Sequence, residues 1–512
     1  MKITILAQDK IHSWEGQPGI LLSEAIQSCG LSFSMPCGGN HTCGKCRVQA
    51  QGLLEPPGKE ERRLLGAAKD GIRLACFAKA LGDCEIMLPS ATIGTALEGI
   101  LPKADWDSFP PGSFGLAVDI GTTTVAVYLC DLHIHQIIAA FGEPNDQRGL
   151  GADVISRIDY SNLHGTEIPH RKITAQLSRM FAQCQKALPM QGEIKTLAIT
   201  GNTTMLHFLT GKNPQGIAAA PFVPESCFGY EMDSGSLFPE YQNIPLYLPP
   251  CVGAYVGADI LCAAASVRLA GQENALLLDI GTNGEMMLMT QGKCLCCAAA
   301  AGPAFEGAGI SMGMAASEGA VNRVAIKNGE IVWETIGHTA PAGICGTGVI
   351  SLLCLMRKTG ALDETGLIIP EGIFAPYITK GERIQLGNSN IFFTQEDVRA
   401  VQLAKAAIAA GLETLLHEGR IKKEQINMFY LCGGFGSRID CEEAAGIGLI
   451  PAALVQKAVT AGNGAGAGAA AMVMSQALRQ EAEQLAREAI EISLSESAYF
   501  MEQYLEQMAF EA

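Results

Sequence analysis

The sequence has no stretch of about 18 uninterrupted strongly apolar residues, so no membrane-spanning helix is expected. Basic side chains are scarce: 36 Lys and Arg stand against 52 Asp and Glu, a net charge of −16. That deficit argues against non-specific nucleic-acid binding, which relies on cations meeting phosphates. The opening Met-Lys-Ile-Thr-Ile-Leu-Ala-Gln-Asp is too short an apolar run for a signal peptide. Eighteen cysteines without a secretion signal point to a reducing compartment and to cluster chemistry rather than disulfides, so a cytoplasmic location is expected. What the chain does have is 48% hydrophobic residues and 512 positions, enough for two to four well-packed domains. Its 58 glycines suit tight turns and close backbone approaches better than disorder.

Lys2–Leu6 reads as a strand and Ile20–Ser28 as a helix; then come Pro36-Cys37-Gly-Gly-Asn-His-Thr-Cys43-Gly-Lys-Cys46 and Arg73-Leu-Ala-Cys76. The spacing is C-x5-C-x2-C, with Cys76 after 29 further residues. Four thiolates, with glycines that let the loop wrap a cluster, fit a [2Fe–2S] site held by Cys37, Cys43, Cys46 and Cys76. Zinc is the competing reading of Cys43-Gly-Lys-Cys46. Gly39-x4-Gly44-Lys45 mimics a phosphate loop, but Cys46 stands where Ser or Thr should hold magnesium. The pattern resembles β-grasp ferredoxins, in an α+β domain spanning residues 1–88. Cys29 and Cys84 read as buried thiols. Residues 89–113, with Leu-Pro102 and Phe-Pro-Pro111, read as a linker of semi-rigid pieces.

Beyond the linker, strands alternate with helices, the mark of an α/β architecture. Leu116-Ala-Val-Asp-Ile-Gly-Thr-Thr-Thr-Val-Ala-Val127 reads as a strand, a Gly-Thr turn with one acidic residue, and a second strand. The design returns between Leu277 and Leu288, with Asp279 standing 160 positions after Asp119. A repeat of this kind predicts two related lobes. Three further polar or Gly-rich turns follow strands or open helices: Gly201-Asn-Thr-Thr204, Gly343-Ile-Cys-Gly-Thr-Gly348 and Cys432-Gly-Gly-Phe-Gly436. Gly-rich turns let backbone N–H groups approach an anion, and a helix N-terminus favours phosphate. Gln395–Glu418 carries apolar residues at helical spacing behind a Thr394 N-cap. Cys294-Leu-Cys296-Cys297 is too tightly spaced for a metal site and reads as buried thiols; His207 and His338 read as structural.

The order of these five turns resembles the superfamily of actin, hexokinase, acetate kinase and Hsp70, in which two RNase-H-like lobes clamp ATP (the ASKHA type). The resemblance places lobe I at about 114–270 and lobe II at about 271–512. It implies that Gly121, Thr122 and Thr123 form one phosphate hairpin and Gly281, Thr282 and Asn283 the other. Asn202, Gly346, Thr347 and Gly348 would also meet the nucleotide, and Gly433, Gly434 and Phe435 would flank adenosine. Asp119 and Asp279 would position Mg2+ and the attacking group.

A [2Fe–2S] domain ahead of such an ATPase, with Ala-Ala-Gly-Pro-Ala-Phe-Glu-Gly307 and Gly-Ile-Cys-Gly-Thr-Gly348, resembles the reductive activators of corrinoid proteins over nearly the whole chain. The resemblance implies ATP-dependent transfer of one electron to Co(II), restoring Co(I) on a methyltransferase's corrinoid protein. It also implies a homodimer and a separate electron donor. Two other readings fit the motifs: an ATP-driven electron injector for another low-potential enzyme, and a small-molecule kinase regulated by a redox domain. A nucleotide-dependent chaperone that merely holds a cluster is the non-enzymatic alternative.

Overall fold

Ile3 and Ile5 turn inward on the first strand, Lys2–Ala7 (β1), and the same period of two on later strands buries Val48, Ala50, Cys84 and Ile86. The computed structural model describes residues 1–7, 10–29, 31, 41, 46–65, 71–88, 99–189, 192–379, 383–386 and 389–510. These fall into two compact units: Met1–Thr92 with Thr122–Thr124 and Glu143–Leu177, and Ile93–Gly121 with Val125–Gly142 and Ser178–Ala512.

In the first unit, β1 joins Lys10–Glu15 (β2), Arg47–Leu54 (β3), Ile72–Leu74 (β4) and Ala80–Met87 (β5) in a sheet of order β2-β1-β5-β3-β4. The β1–β5 pair is parallel and the other pairs are antiparallel. Leu22–Ser28 (α1) joins this core through Leu22, Ala25 and Ile26, giving the β-grasp arrangement expected. Lys59–Leu65 (α2) supplies Glu61, whose two carboxylate oxygens accept from Arg73 Nε and Nη2 at 2.9 Å each. The pair is buried and bidentate, and Glu61 also accepts from the Leu74 N–H at 3.0 Å. Val154–His164 (α3) and the first half of Glu167–Ala187 (α4) belong to the same unit.

The second unit is built on two six-stranded sheets. The first contains Ser113–Ile120 (β6), Thr124–Asp131 (β7), Gln136–Pro144 (β8), Glu193–Gly201 (β9), Tyr230–Asp233 (β10) and Pro245–Leu248 (β11), in the order β10-β11-β9-β6-β7-β8. The second contains Ala275–Ile280 (β12), Gly284–Thr290 (β13), Lys293–Ala299 (β14), Met428–Cys432 (β15), Ala458–Thr460 (β16) and Ile490–Glu491 (β17), in the order β16-β15-β12-β13-β14-β17. The two are built alike. Each has an antiparallel hairpin (β6–β7 and β12–β13) whose first strand pairs in parallel with a later strand, β9 or β15. This is the duplication that the repeated Asp-Ile-Gly-Thr predicts. Two small three-stranded sheets lie between residues 320 and 394.

Helices Thr203–Thr210 (α5), Ala258–Ser266 (α6), Gly346–Lys358 (α7), Gln395–Glu418 (α8) and Gly464–Met474 (α9) complete the core used below. Every residue of α9 is buried, which explains its run of Gly and Ala: only small side chains permit so close an approach on all sides. No helix among the described residues is long and apolar enough to cross a membrane. The second half of the span read as linker is docked. Leu101, Ala104, Trp106 and Phe109 pack against the cluster containing Ala469–Met474. Asp107 N–H donates to Met474 O, and Ser475 Oγ donates to Asp105 O.

Candidate functional site

Cys46 immediately precedes β3 and Cys76 follows β4, so the antiparallel β3–β4 pair brings them together. Ala75 N–H donates to Cys46 O at 2.8 Å, and the two Sγ atoms stand 3.2 Å apart with both residues buried. That separation exceeds a disulfide bond of about 2.05 Å. It approaches the roughly 3.8 Å expected for two thiolates on one tetrahedral ion with bonds of about 2.3 Å. The pair therefore fits half of a metal-cluster ligand set. Cys37 and Cys43, the other two expected ligands, lie outside the described residues. His41 Nε2 meets Cys76 O at 2.8 Å, and its ring packs against Phe77 with centroids 4.2 Å apart.

In the second unit, Asp119 and Asp279 hold equivalent places, each one residue from the end of an otherwise buried strand. Asp119 pairs with Ala126 across the hairpin and with Thr200 on the parallel strand; Asp279 pairs with Glu285 and with Cys432. Three carboxylates that the sequence reading missed gather beside them. Asp259 enters from the first turn of α6. Glu285 accepts from the Gly257 N–H at 3.0 Å, and Glu306 accepts from Thr282 Oγ1 at 3.3 Å.

Burial raises Asp119 to about 6, opposed by a hydrogen bond from Asn463 Nδ2 at 2.8 Å. Burial and then the neighbouring charges of Asp259, Asp119 and Glu306 raise Asp279 to about 8. Burial and then the Asp119 charge push Asp259 up, opposed in part by its hydrogen bond with Glu285, whereas burial and then the Asp259 charge push Glu285 well up. Acids held this far above their ordinary range have a use for a cation. Among the described residues no three His, Cys, Asp or Glu side chains converge tightly enough to hold one unaided. Magnesium suits that situation, because it keeps several waters and takes one or two carboxylates plus substrate phosphates.

The expected turns occupy the ends of these strands. Gly121, Thr122 and Thr123 join β6 to β7, while Gly281, Thr282 and Asn283 join β12 to β13, with Gly281 N–H donating to Asn283 O at 2.9 Å. Gly346, Thr347 and Gly348 form the first turn of α7, whose N-cap, Cys345, offers no side-chain hydrogen bond. A helix start without a side-chain cap leaves its first-turn N–H groups to other acceptors, of which an anion is one. Gly433 has φ +92°, and a Cβ there would strike Asp279 Oδ1 and lie 2.7 Å from Ile280 O. Gly433→Ala is accordingly expected to displace Asp279 and weaken nucleotide binding by about tenfold or more, since strain of this kind costs of order 1–3 kcal/mol. Equilibrium titration with Mg-ATP checks it; unchanged affinity would show that Asp279 has no part in binding.

Two of the expected contact residues also have partners within the fold. Asn202 caps α5, its side-chain oxygen accepting from Met205 N–H at 3.0 Å. Phe435 is buried with its ring stacked on Phe305, centroids 5.0 Å apart, whereas Gly434 is exposed and open. The structural reading of His207 stands: Nδ1 donates to Thr203 O at 2.7 Å and Nε2 accepts from Ser226 N–H at 3.3 Å. Cys294, Cys296 and Cys297 are buried thiols on β14, pushed up by burial.

The C-terminal ASKHA domain of RACo matches residues 273–512, and the RACo middle region matches residues 114–272. The chain is 32% identical over 420 residues to the corrinoid activation enzyme RamQ of Eubacterium limosum, covering 77% of this chain and 69% of that protein. It is 28% identical over 387 residues to the [Co(II) methylated amine-specific corrinoid protein] reductase of Methanosarcina barkeri, covering 68% of each. A solved structure of a reductive activator for corrinoid iron–sulfur protein is similar at a TM-score of 0.71 and 27% identity, over 99% of this chain and 98% of that one. By its sequence, its duplicated sheets and these relatives, the chain belongs to the family of reductive activators of corrinoid proteins.

Proposed function

We propose that this protein returns the cobalt of a partner corrinoid protein from Co(II) to Co(I), with Mg-ATP bound at the Asp119 and Asp279 carboxylates of the second unit. The observation that carries the proposal is the joint presence, in one member of this family, of two buried converging thiols and a duplicated pair of acid-bearing hairpins. Supporting it, relatives matched over most of their length are named for corrinoid activation and corrinoid-protein reduction. The overall change is the addition of one electron to Co(II); no carbon–hydrogen or carbon–carbon bond is made or broken. A separate reductant supplies that electron.

Cys46 and Cys76, with Cys37 and Cys43, would hold a [2Fe–2S] group, which supplies one-electron transfer when bound. The chain's own part is to keep that site compact and dry. The Glu61–Arg73 pair fixes the strand that leads to Cys76, and both thiols sit away from solvent. In the second unit, Asp119 and Asp279 would orient magnesium and the attacking water, and the hairpin and α7 N–H groups would take the phosphates. Co(II) to Co(I) is a difficult one-electron step, and about 59 mV corresponds to a tenfold bias. ATP binding and turnover act conformationally, favouring one state of the complex over another, with no phosphorylated product. Residues 1–88 thus act as the electron carrier, 89–113 as the linker and 114–512 as the ATPase, in the soluble interior of the cell.

Anaerobic spectroscopy tests the proposal. Reduced protein, Mg-ATP and a Co(II)-corrinoid protein should together yield Co(I) absorbance, and leaving out ATP should abolish it. ADP formation that ignores corrinoid protein and follows a sugar or acid instead would overturn it.

A further inference from the structure

Asp119 sits near the end of β6 with a strand on either side, β7 antiparallel and β9 parallel, so its backbone is fixed. The sheet does not fix the rotation of the carboxylate itself, because χ2 of an aspartate is a broad, two-fold torsion. Asn463 supplies what the sheet leaves open. Its Nδ2 donates to Asp119 Oδ2 at 2.8 Å, while its Oδ1 accepts from the Gly466 N–H at 2.8 Å and caps α9. Both ends of the amide are therefore specified: turned over, it would set an NH2 against an N–H and an oxygen against a carboxylate. Among the described residues no hydrogen bond reaches the other oxygen, Oδ1 of Asp119.

Asn463 is itself held from both directions along the chain. Ahead of it, Ala461 N–H donates to Leu431 O at 2.9 Å, and Gly462 O accepts from Gly433 N–H at 3.2 Å, at the end of β15. Behind it, α9 lies too close to its neighbours to shift. A Cβ at Gly466 would lie 2.5 Å from Tyr128 Oη on β7, and one at Gly468 would lie 1.8 Å from Cys262 O on α6.

We infer that Asn463 is the positioning residue of Asp119: its amide occupies Oδ2 and leaves Oδ1 as the oxygen offered to the metal. The inference rests on the proposed ATP-binding function. A neutral amide suits the task, since it orients a carboxylate without cancelling the charge that a cation needs. A lysine or arginine at the same place would form an ion pair and compete with the metal.

The test uses full-length protein and follows Mn2+ with ATP by electron paramagnetic resonance. Serine caps a helix as well as asparagine does, but its hydroxyl stops one bond short of the amide nitrogen. Asn463→Ser should therefore keep α9 and bind Mn-ATP about tenfold more weakly, having lost one hydrogen bond to a charged group. With Asp119 already changed to Ala, the same substitution should shift affinity by less than about twofold, because the two residues act as a unit. A role confined to capping α9 predicts unchanged affinity in Asn463→Ser, or the same loss in both backgrounds; either result overturns the inference. If Asn463→Ser does not fold, a crystal structure of the wild type with Mn-AMPPNP decides. The Asn463–Asp119 bond should persist there, with the metal or its water on the other oxygen. Metal on the oxygen that Asn463 holds, or a broken amide bond, overturns the role of Asn463. Wild type that binds no Mn-ATP overturns the ATP reading, and this inference with it.

Discussion

Asp279→Asn is expected to melt at a higher temperature than the wild type without nucleotide, while losing on the order of 100-fold in ATP-dependent activity. The reason is the ionisation of a buried group. Asp279 gives up its proton near 3.8 when unfolded but near 8 in the folded chain, and Asp119 near 6. Between those limits the folded state holds more protons than the unfolded one, so stability falls as pH rises. The penalty is absent below about pH 3.8 and is complete above about 8 for Asp279. An amide of the same shape carries no such penalty, so the variant's melting temperature should be flatter between pH 6 and 8. The same sign governs ligand affinity. On the proposed reading magnesium and nucleotide take the ionised carboxylates, so binding near neutral pH should expel protons and strengthen as pH rises, by up to about tenfold per unit for each proton released. Melting curves across pH 6–8 and calorimetric titrations in two buffers of different ionisation heat measure both effects. A nucleotide-free wild type that gains stability from pH 6 to 8 would contradict the account.

Cys76→Ala, and Cys46→Ala alike, should abolish the visible absorbance of the N-terminal domain and reduce Co(I) formation to background, while Mg-ATP affinity stays at the wild-type value. Each thiol stands 3.2 Å from the other in a buried setting, so losing one leaves an incomplete ligand set. Cys29 and Cys84 are poor replacements. Burial pushes both thiols up, away from the thiolate form that a metal requires. Iron content, absorbance and nucleotide titration on the same preparation separate the outcomes. Full absorbance in both variants would place the cluster on other residues.

Where the determinants were local, the fold was legible in the sequence. Thr394 caps a helix that runs over Gln395–Glu418, because the apolar period and the cap agree. The two Asp-Ile-Gly-Thr turns announced two hairpins, since glycine and a strand-terminal acid suffice to mark them. The carboxylate site was only half legible. Asn463 meets Asp119 across 344 residues, and Asp259 lies on an Ala-rich helix whose only signal is an acid behind Gly257. Pairings of that kind depend on which helix packs on which sheet. Phe435 is expected beside adenosine from the order of the turns, while its stack on Phe305, 130 residues earlier, is a tertiary contact that nothing in Gly-Gly-Phe-Gly reveals.

The docked stretch ahead of β6 belongs to the core of the second unit. Gly99 bridges to Gly462, next to the Asn463 that bonds Asp119, and Leu101, Ala104, Trp106 and Phe109 cover the cluster of Ala469–Met474. A cut made at the start of β6 would strip that apolar cover from α9, so a fragment that keeps this core intact has to begin before Gly99.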